Sequence, residues 1–375
     1  MKPTILHVSK YYYPDLGGIE SVAKYLAEGL RDFCNVVVCF SSDGKYHEDT
    51  VNGVKVYRVA VEMSFMSQDI ALGYRKLLKR LMAEYKPQYV HVHCPNPYIY
   101  PIVMQTVSKE TKVVLHWHSD ILSKGLMYKL VKPFENRIVS RADAIVSTSP
   151  NYIGDSPQLD THRGKVFVAQ NGLITSLFER QIGDEEKIAE LRARYGGRKL
   201  VYFVGRHAQY KGVEKLIKAE KLLRQDCEVL IAGTGPETSH WRRLAEGRPR
   251  IHFLGRLSDD ELRILHLAAD IFAFPSDTKA EAFGVALAEA MYCGSVPVVF
   301  HLEGSGVNWV SQKDVTGMEV PLNDVESFAG AIDKLLLDDG MRHVLADAAV
   351  RRAHGMFTEK AALLAMRDVY GKLGR

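Results

Sequence analysis

Two glutamates, Glu281 and Glu289, stand eight residues apart in SDTKAEAFGVALAEAMYCGSVPVV (276–299), and a short apolar run follows them. Phe283 and Gly284 are expected to begin a helix, whose free amides and dipole favour an anion. Glu281 would then precede the helix, with Glu289 about 9 Å further along it at 1.5 Å per residue. Phosphates over the helix start would leave one carboxylate for each end of a nucleotide sugar, because carboxylates accept hydrogen bonds from sugar and ribose hydroxyls. A pair of exposed helix-face glutamates is the blander reading. Upstream, RHAQYKG places Arg206 and Lys211 in one loop, a guanidinium fork and a point charge that together suit a pyrophosphate. In PDLGGIE, Gly17 and Gly18 directly precede a helical pattern, where amides without side chains can approach an anion. The TGPE turn around Gly235 reads as a tight turn that lets another molecule come close. It lacks the third glycine and the downstream acidic residue of a dinucleotide fingerprint. His91, His93, His116 and His118 alternate on two strand-like runs. A HxH pair on a strand turns both imidazoles to one face, as in some zinc sites.

The elements that must hold these residues follow a regular pattern. TILHVS (4–9), NVVVCF (35–40), VKVYRV (54–59), YVHVH (89–93), KVVLHWH (112–118) and AIVSTS (144–149) read as strands, with helical patterns such as 18–32 between several of them. The pattern restarts with LVYFVG (200–205), EVLIAG (228–233), IHFLG (251–255), IFAFPS (271–276) and VPVVF (296–300), with helices near 212–225, 258–268 and 283–293. Strand and helix in alternation indicate parallel sheets covered on both faces. The expected fold class is therefore α/β with two doubly wound domains, and their boundary lies in 171–186. In such sheets ligands sit at the carboxyl ends of strands, where the loops above are found.

Composition agrees with a globular chain. Its 375 residues are 46% hydrophobic and 25% charged, longer than one core usually grows, which favours two domains. Five cysteines, none in a CxxC pair, fit reduced thiols better than a disulfide scaffold. No P-loop and no DxD motif occurs. The longest stretch without Asp, Glu, Lys or Arg, 87–108, contains four prolines and two histidines, which argues against a spanning helix. The apolar run near the N-terminus is too short for a signal peptide. The expectation is a soluble cytoplasmic protein. Residues 1–170 carry a net charge of +5 and residues 171–375 a net of −1, matching the +4 of the whole chain. Two segments concentrate the basic charge, 74–86 and 124–141, with Lys and Arg alternating with apolar residues at helical spacing. Each reads as a core-facing helix with a solvated basic face, or as a face that lies on anionic lipid at the inner membrane surface.

Taken together, EAFGVALAEAMYCGSVPVV, VGRHAQYKG, IAGTGPE, PDLGGIE and HWHSD resemble, in order and approximate spacing over nearly the whole chain, the motifs of the retaining GT-B glycosyltransferases of family GT4. The resemblance implies two Rossmann-like domains facing an interdomain cleft. An acceptor-binding domain would span 1–175, a nucleotide-sugar-binding domain 176–355, and a C-terminal helix in 356–375 would cross back to the first. By the same resemblance Glu281 binds the donor sugar hydroxyls, Glu289 the ribose, and Arg206 with Lys211 neutralises the diphosphate in place of a metal. Gly17 and Gly18 would line the phosphates, as would Gly205, Gly235 and the amides of Phe283 and Gly284. His118 would touch the sugar or the transition state, with Asp120 nearby. The implied chemistry is transfer with retention, without a metal, by a front-face route in which leaving-group phosphate helps deprotonate the incoming hydroxyl. A double displacement would need a carboxylate beneath the anomeric carbon, for which Glu281 is the less favoured candidate.

Two departures from the family pattern stand out. The segment 301–317 lacks the commoner GGxxE form, which leaves contacts by Glu303, Gly304 and Ser305 open, and Ser119 separates His118 from Asp120. The wording of YYYPDLGGIE and HWHSDI is most similar to bacterial polysaccharide and O-antigen mannosyltransferases. That similarity implies GDP-mannose as donor and a glycan, or a polyprenyl-diphosphate-linked glycan, as acceptor. The rival readings are a UDP-sugar donor, a nucleotide-sugar 2-epimerase and a noncatalytic glycan-binding module. Nucleic-acid binding is disfavoured by the balanced charge of the second half. Zinc at the histidines is set against the strand-end histidines that members of this family carry without metal, and no metal ligand is assigned.

Overall fold

The computed structural model describes all residues except Met1, Leu16, Met66, Ser67, 122–125 and Arg375, and the side chains of Leu126 and Met127. Part of the basic segment 124–141 thus lies outside the described residues. The chain divides into two compact units, residues 1–172 with 360–375, and residues 173–359.

In the first unit, runs rich in β-branched residues build one eight-stranded sheet. From edge to edge it holds Val166–Val168, Ala144–Ser147, Lys112–Trp117, Tyr89–Cys94, Thr4–Val8, Cys34–Phe40, Val54–Val59 and His47–Val51. All neighbours run parallel except the last pair. That pair is a hairpin turning at Asn52 and Gly53, both at positive φ (48° and 85°). The central strands Thr4–Val8 and Tyr89–Cys94 are buried along their length, as expected of a sheet covered on both faces. The helix Gly18–Gly29 places Val22, Tyr25 and Leu26 against this sheet. Ala362, Met366, Val369 and Tyr370 of the last helix, Glu359–Leu373, join the same cluster.

The helix Tyr74–Tyr85 buries Tyr74, Leu77, Leu78 and Leu81, the i, i+3, i+4, i+7 stripe of an amphipathic helix, and exposes Arg75, Lys76, Lys79 and Arg80. Arg80 pairs with Glu48 at 2.6 Å. Among the described residues no helix is long and apolar enough to cross a membrane, and all five cysteines are free thiols.

The second unit has a six-stranded, wholly parallel sheet in the order Ile251–Gly255, Cys227–Ala232, Lys199–Val204, Ile271–Phe274, Val296–Phe300, Met318–Val320. Its core is one contiguous cluster that includes Tyr202, Phe203, Phe272, Phe274, Leu287 and Phe300. The helices come out shorter than the periodicity suggests: Val213–Glu220, Asp259–Ala268 and Val285–Tyr292. Only Asp259–Ala268 begins with a full capping box, between Ser258 and Glu261. The other two start at Gly212 and Gly284, in left-handed conformation at φ 62° and 84°.

Candidate active site

Gly17, Gly18 and His118 belong to the first unit; Arg206, Lys211, Glu281 and Glu289 belong to the second. In the second unit the candidates converge. The strand Lys199–Val204 delivers the loop 205–212, whose Gln209–Lys211 turn makes a single 3₁₀ step. The strand Ile271–Phe274 delivers the loop carrying Glu281. The Asp277 amide donates to the Tyr210 carbonyl at 3.1 Å, and Lys215 pairs with Asp277, which ties the two loops together. Gly212 is required there, because a Cβ at its positive φ would collide with the Pro275 carbonyl.

Lys211 and Glu281 form a buried ion pair through Nζ and Oε2, with side chains only 10% and 11% exposed. The Ser276 hydroxyl donates to the same oxygen at 3.2 Å. The Lys211 ammonium also lies 5.2 Å from the Tyr210 ring centre and 5.3 Å from that of Phe274, so aromatic faces supply further stabilisation of its charge. Burial works against charge on Lys211, yet the Glu281 carboxylate holds its pKa above the usual lysine value. Arg206, on the same loop, is exposed, and its side chain makes no ion pair or hydrogen bond among the described residues. One buried, compensated cation and one free guanidinium therefore share this loop.

Glu289 stands in the helix Val285–Tyr292, not at an exposed face. Burial raises its carboxyl to about 7, against the opposing pull of Lys211. His266 Nε2 lies 3.9 Å from Glu289 Oε2. Burial drives His266 down to about 3, so it is neutral and the approach is not an ion pair. His266 is itself held by the Tyr202 hydroxyl, 2.7 Å from Nδ1.

Phe283 and Gly284 precede the helix rather than open it. Phe283 is buried against Trp309 and Phe357 with ring centres 6.3 and 5.6 Å away, so its side chain serves the core. Ser305 is a contributor whose contact the sequence left open. Its fully buried hydroxyl donates to the Glu281 carbonyl at 2.5 Å and accepts from the Val307 amide at 3.2 Å, while the Gly306 amide donates to the Ala282 carbonyl at 3.0 Å. The segment after the strand Val296–Phe300 thus clamps the backbone that presents Glu281.

The glycine turn near Gly235 has a different reason from the one its sequence suggests. A Cβ at Gly233, whose φ is 116°, would collide with the Gly205 carbonyl, and one at Gly235 would come within 2.5 Å of the His207 carbonyl. The close approach is to the protein's own loop 205–207, which His207 reinforces through Nδ1 and the Thr238 hydroxyl at 2.8 Å.

In the first unit Gly17 caps the helix Gly18–Gly29 in extended conformation, and any side chain there would meet the Glu20 carboxylate. That carboxylate folds back toward the helix start, and burial raises its pKa. An anion binding there must displace it. His118 follows the strand Lys112–Trp117, and its Nε2 lies 3.0 Å from His93 Nδ1. Burial holds His118 down at about 3. Asp120 is engaged internally: its Oδ1 accepts from Trp117 Nε1 at 2.8 Å and from the Ser156 hydroxyl at 2.7 Å.

Two Rossmann-like units with loops of this kind at strand ends define the GT-B class. The structure of Anabaena HepE in complex with UDP superposes with a TM-score of 0.77 at 19% identity, covering 98% of this chain and all of that one. Residues 16–177 match the model described as Glycosyltransferase Family 4, and residues 184–352 match that described as Glycosyl transferases group 1. The chain is 29% identical over 374 residues to the O-antigen chain mannosyltransferase C of Escherichia coli, spanning 98% of both. It is 30% identical over 333 residues to the D-rhamnosyltransferase WbpZ of Pseudomonas aeruginosa, covering 88% of this chain and 85% of that one. The protein belongs to the GT4 glycosyltransferases, and it has their GT-B fold.

Proposed function

We propose that this glycosyltransferase moves a hexose, mannose by preference, from GDP-mannose to a glycan or a polyprenyl-diphosphate-linked glycan in bacterial polysaccharide synthesis, with retention and without a metal. The observation that carries this reading is the Lys211–Glu281 pair beside the unpaired Arg206. A departing diphosphate needs fixed positive charge, and a cation already dehydrated and positioned stabilises it without reorganisation. In this reading Arg206 and Lys211 take the diphosphate, and Glu281 accepts hydrogen bonds from the sugar. Glu289 receives the ribose hydroxyls; Gly17, Gly18, Gly205 and the amides of Phe283 and Gly284 would line the phosphates and sugar.

Glu281 shares one oxygen with Lys211 and Ser276, which suits a fixed acceptor better than a free nucleophile. This supports the front-face route: the acceptor oxygen bonds to the anomeric carbon as the carbon–phosphate oxygen bond breaks, and the hydroxyl proton passes to the leaving phosphate. His118, neutral by burial, would hydrogen-bond the sugar or the developing charge. The similarity to an O-antigen mannosyltransferase over 98% of both chains supports mannose and a lipopolysaccharide glycan. The solvated Arg75, Lys76 and Lys79 of the helix Tyr74–Tyr85 support a cytoplasmic enzyme working peripherally at the inner membrane face.

The test is nucleotide release from a panel of GDP- and UDP-sugars, with and without EDTA, comparing native protein with Glu281→Ala. Release from GDP-mannose that survives EDTA and collapses in the variant is expected. Release from a UDP-sugar alone would replace the donor, epimer formation without acceptor would mark an epimerase, and absence of donor binding would mark a glycan-binding module.

A further inference from the structure

Five imidazoles meet inside the first unit. His7 lies opposite His91 in the pairing of their strands, and His93 lies opposite His116. Two-residue alternation with this register turns all four to one face, and His118 follows at the strand end. The rings stack face to face, with centres 4.8 Å apart for His91 and His93 and 4.3 Å for His116 and His118. His7, His91, His93 and His116 are 0–1% exposed.

Their hydrogen bonds do not close. His91 Nδ1 lies 2.5 Å from the Tyr370 hydroxyl, and its Nε2 lies 3.2 Å from His116 Nδ1. His93 Nδ1 is taken by His118. Nε2 of His93, Nε2 of His116 and Nδ1 of His7 are buried without a partner. Either tautomer of His116 leaves its Nε2 unmatched, as a bare lone pair or as an N–H without an acceptor. Buried polar atoms are seldom left so, and the unpartnered His93 Nε2, on the face shared with His91 and His116, points to something that binds it.

We propose that His91, His93 and His116 bind one divalent ion of the zinc class. One ring nitrogen from each lies within 4.8 Å of the other two. Two imidazoles on a tetrahedral zinc, at about 2.0–2.1 Å each, stand about 3.3 Å apart. His91 Nε2 and His116 Nδ1 are already at 3.2 Å, and the third ring closes the set by a small side-chain adjustment. Imidazole ligates in its neutral form, and these three rings are buried away from water. An all-imidazole set selects zinc, copper or nickel over magnesium or calcium. The second layer is also present: Tyr370 holds His91 by Nδ1 and His118 holds His93 by Nδ1, which leaves both Nε2 atoms for the ion. Ligation by Nε2 puts the His93 proton on Nδ1, so His118 Nε2 must accept it. The ion thereby fixes the tautomer of His118. The ion is structural: it orders the histidines of the first unit, His118 among them, and the diphosphate is left to Arg206 and Lys211.

The experiment uses the full chain stripped with EDTA, then titrated with Zn²⁺ alone by calorimetry and with Co²⁺ alone by visible absorption. One Zn²⁺ per chain, a tetrahedral Co²⁺ spectrum and a higher melting temperature with Zn²⁺ are expected. His116→Gln should abolish the Co²⁺ spectrum. Tyr370→Phe, which keeps the ring packing, should weaken Zn²⁺ about 10–100-fold. Uptake below one equivalent by the native chain overturns the proposal, with no variant needed. So does uptake that survives His116→Gln and disappears in His47→Gln, where the exposed His47–Asp43 pair is the alternative binder. Because metal uptake is read directly, a failure here leaves the donor assay untouched, and the reverse holds too.

Discussion

Replacing Lys211 by Met keeps the length of the side chain and its contact with Tyr210 and Phe274 but removes the charge that compensates Glu281. With both side chains about nine-tenths buried, the variant strands a carboxylate that has only the Ser276 hydroxyl left on its shared oxygen. Breaking a buried pair from one side costs about 3–5 kcal/mol, whereas replacing both charges is often close to neutral. At a urea slope of about 2–3 kcal/mol/M, the unfolding midpoint of the second unit should fall by about 1–2.5 M. Trp241 and Trp309 lie in that unit and Trp117 in the other, so tryptophan fluorescence of a Trp117→Phe background isolates its transition. The double variant Lys211→Met, Glu281→Gln should recover most of the loss. Nucleotide release should drop by about 10²–10³-fold in Lys211→Met and should not return in the double variant, since neither form restores the Lys211 cation and Arg206 is left alone with the diphosphate. A Lys211→Met midpoint equal to the native one, or a double variant no more stable than the single, would refute the reasoning.

Three further outcomes follow from the same geometry. Glu289 carries a raised folded pKa of about 7, so its contribution to stability is complete below its unfolded value near 4.3 and is lost as pH rises through about 7. Glu289→Gln should flatten that decline in urea titrations run between pH 4 and 8, and an unchanged slope would rule the assignment out. Ser305→Ala leaves the Glu281 carbonyl without its donor and should cost about 1–3 kcal/mol, with a raised KM for donor, measured by denaturation and steady-state release. Gly233→Ala at φ 116° should destabilise the second unit by about 1–3 kcal/mol, because the loop 205–207 must retreat; a native melting profile would count against that packing.

Much of this molecule is written locally. Apolar β-branched runs marked nearly every interior strand of both sheets, because a strand covered on both faces needs no polar alternation and shows as a continuous apolar run. The edge strand His47–Val51 escaped that test, since it alternates half-buried and exposed residues. Its signal was the Asn52-Gly53 pair, a turn whose positive φ angles suit those two residues. Helices were legible in place but read too long: the one expected over 212–225 ends at Glu220, and Gly284 delays the start of the one expected over 283–293 to Val285. Glu281, Lys211, Arg206 and Glu289 could be picked from residue type and loop position, as could the family motifs that join them.

What tertiary structure decided are the contacts between segments far apart in the chain. His7 gives no hint of its place beside His91 until strand order puts Thr4–Val8 next to Tyr89–Cys94. Ser305 becomes a clamp on Glu281 only when two loops 24 residues apart fold onto each other. Gly233 and Gly235 suggest a ligand in sequence and turn out to serve a neighbouring loop. Residue type and local spacing set which groups are available, since propensity and alternation act within a few residues. Strand order, register and burial set which of them meet and which are charged, since pairing and desolvation are properties of the packed chain.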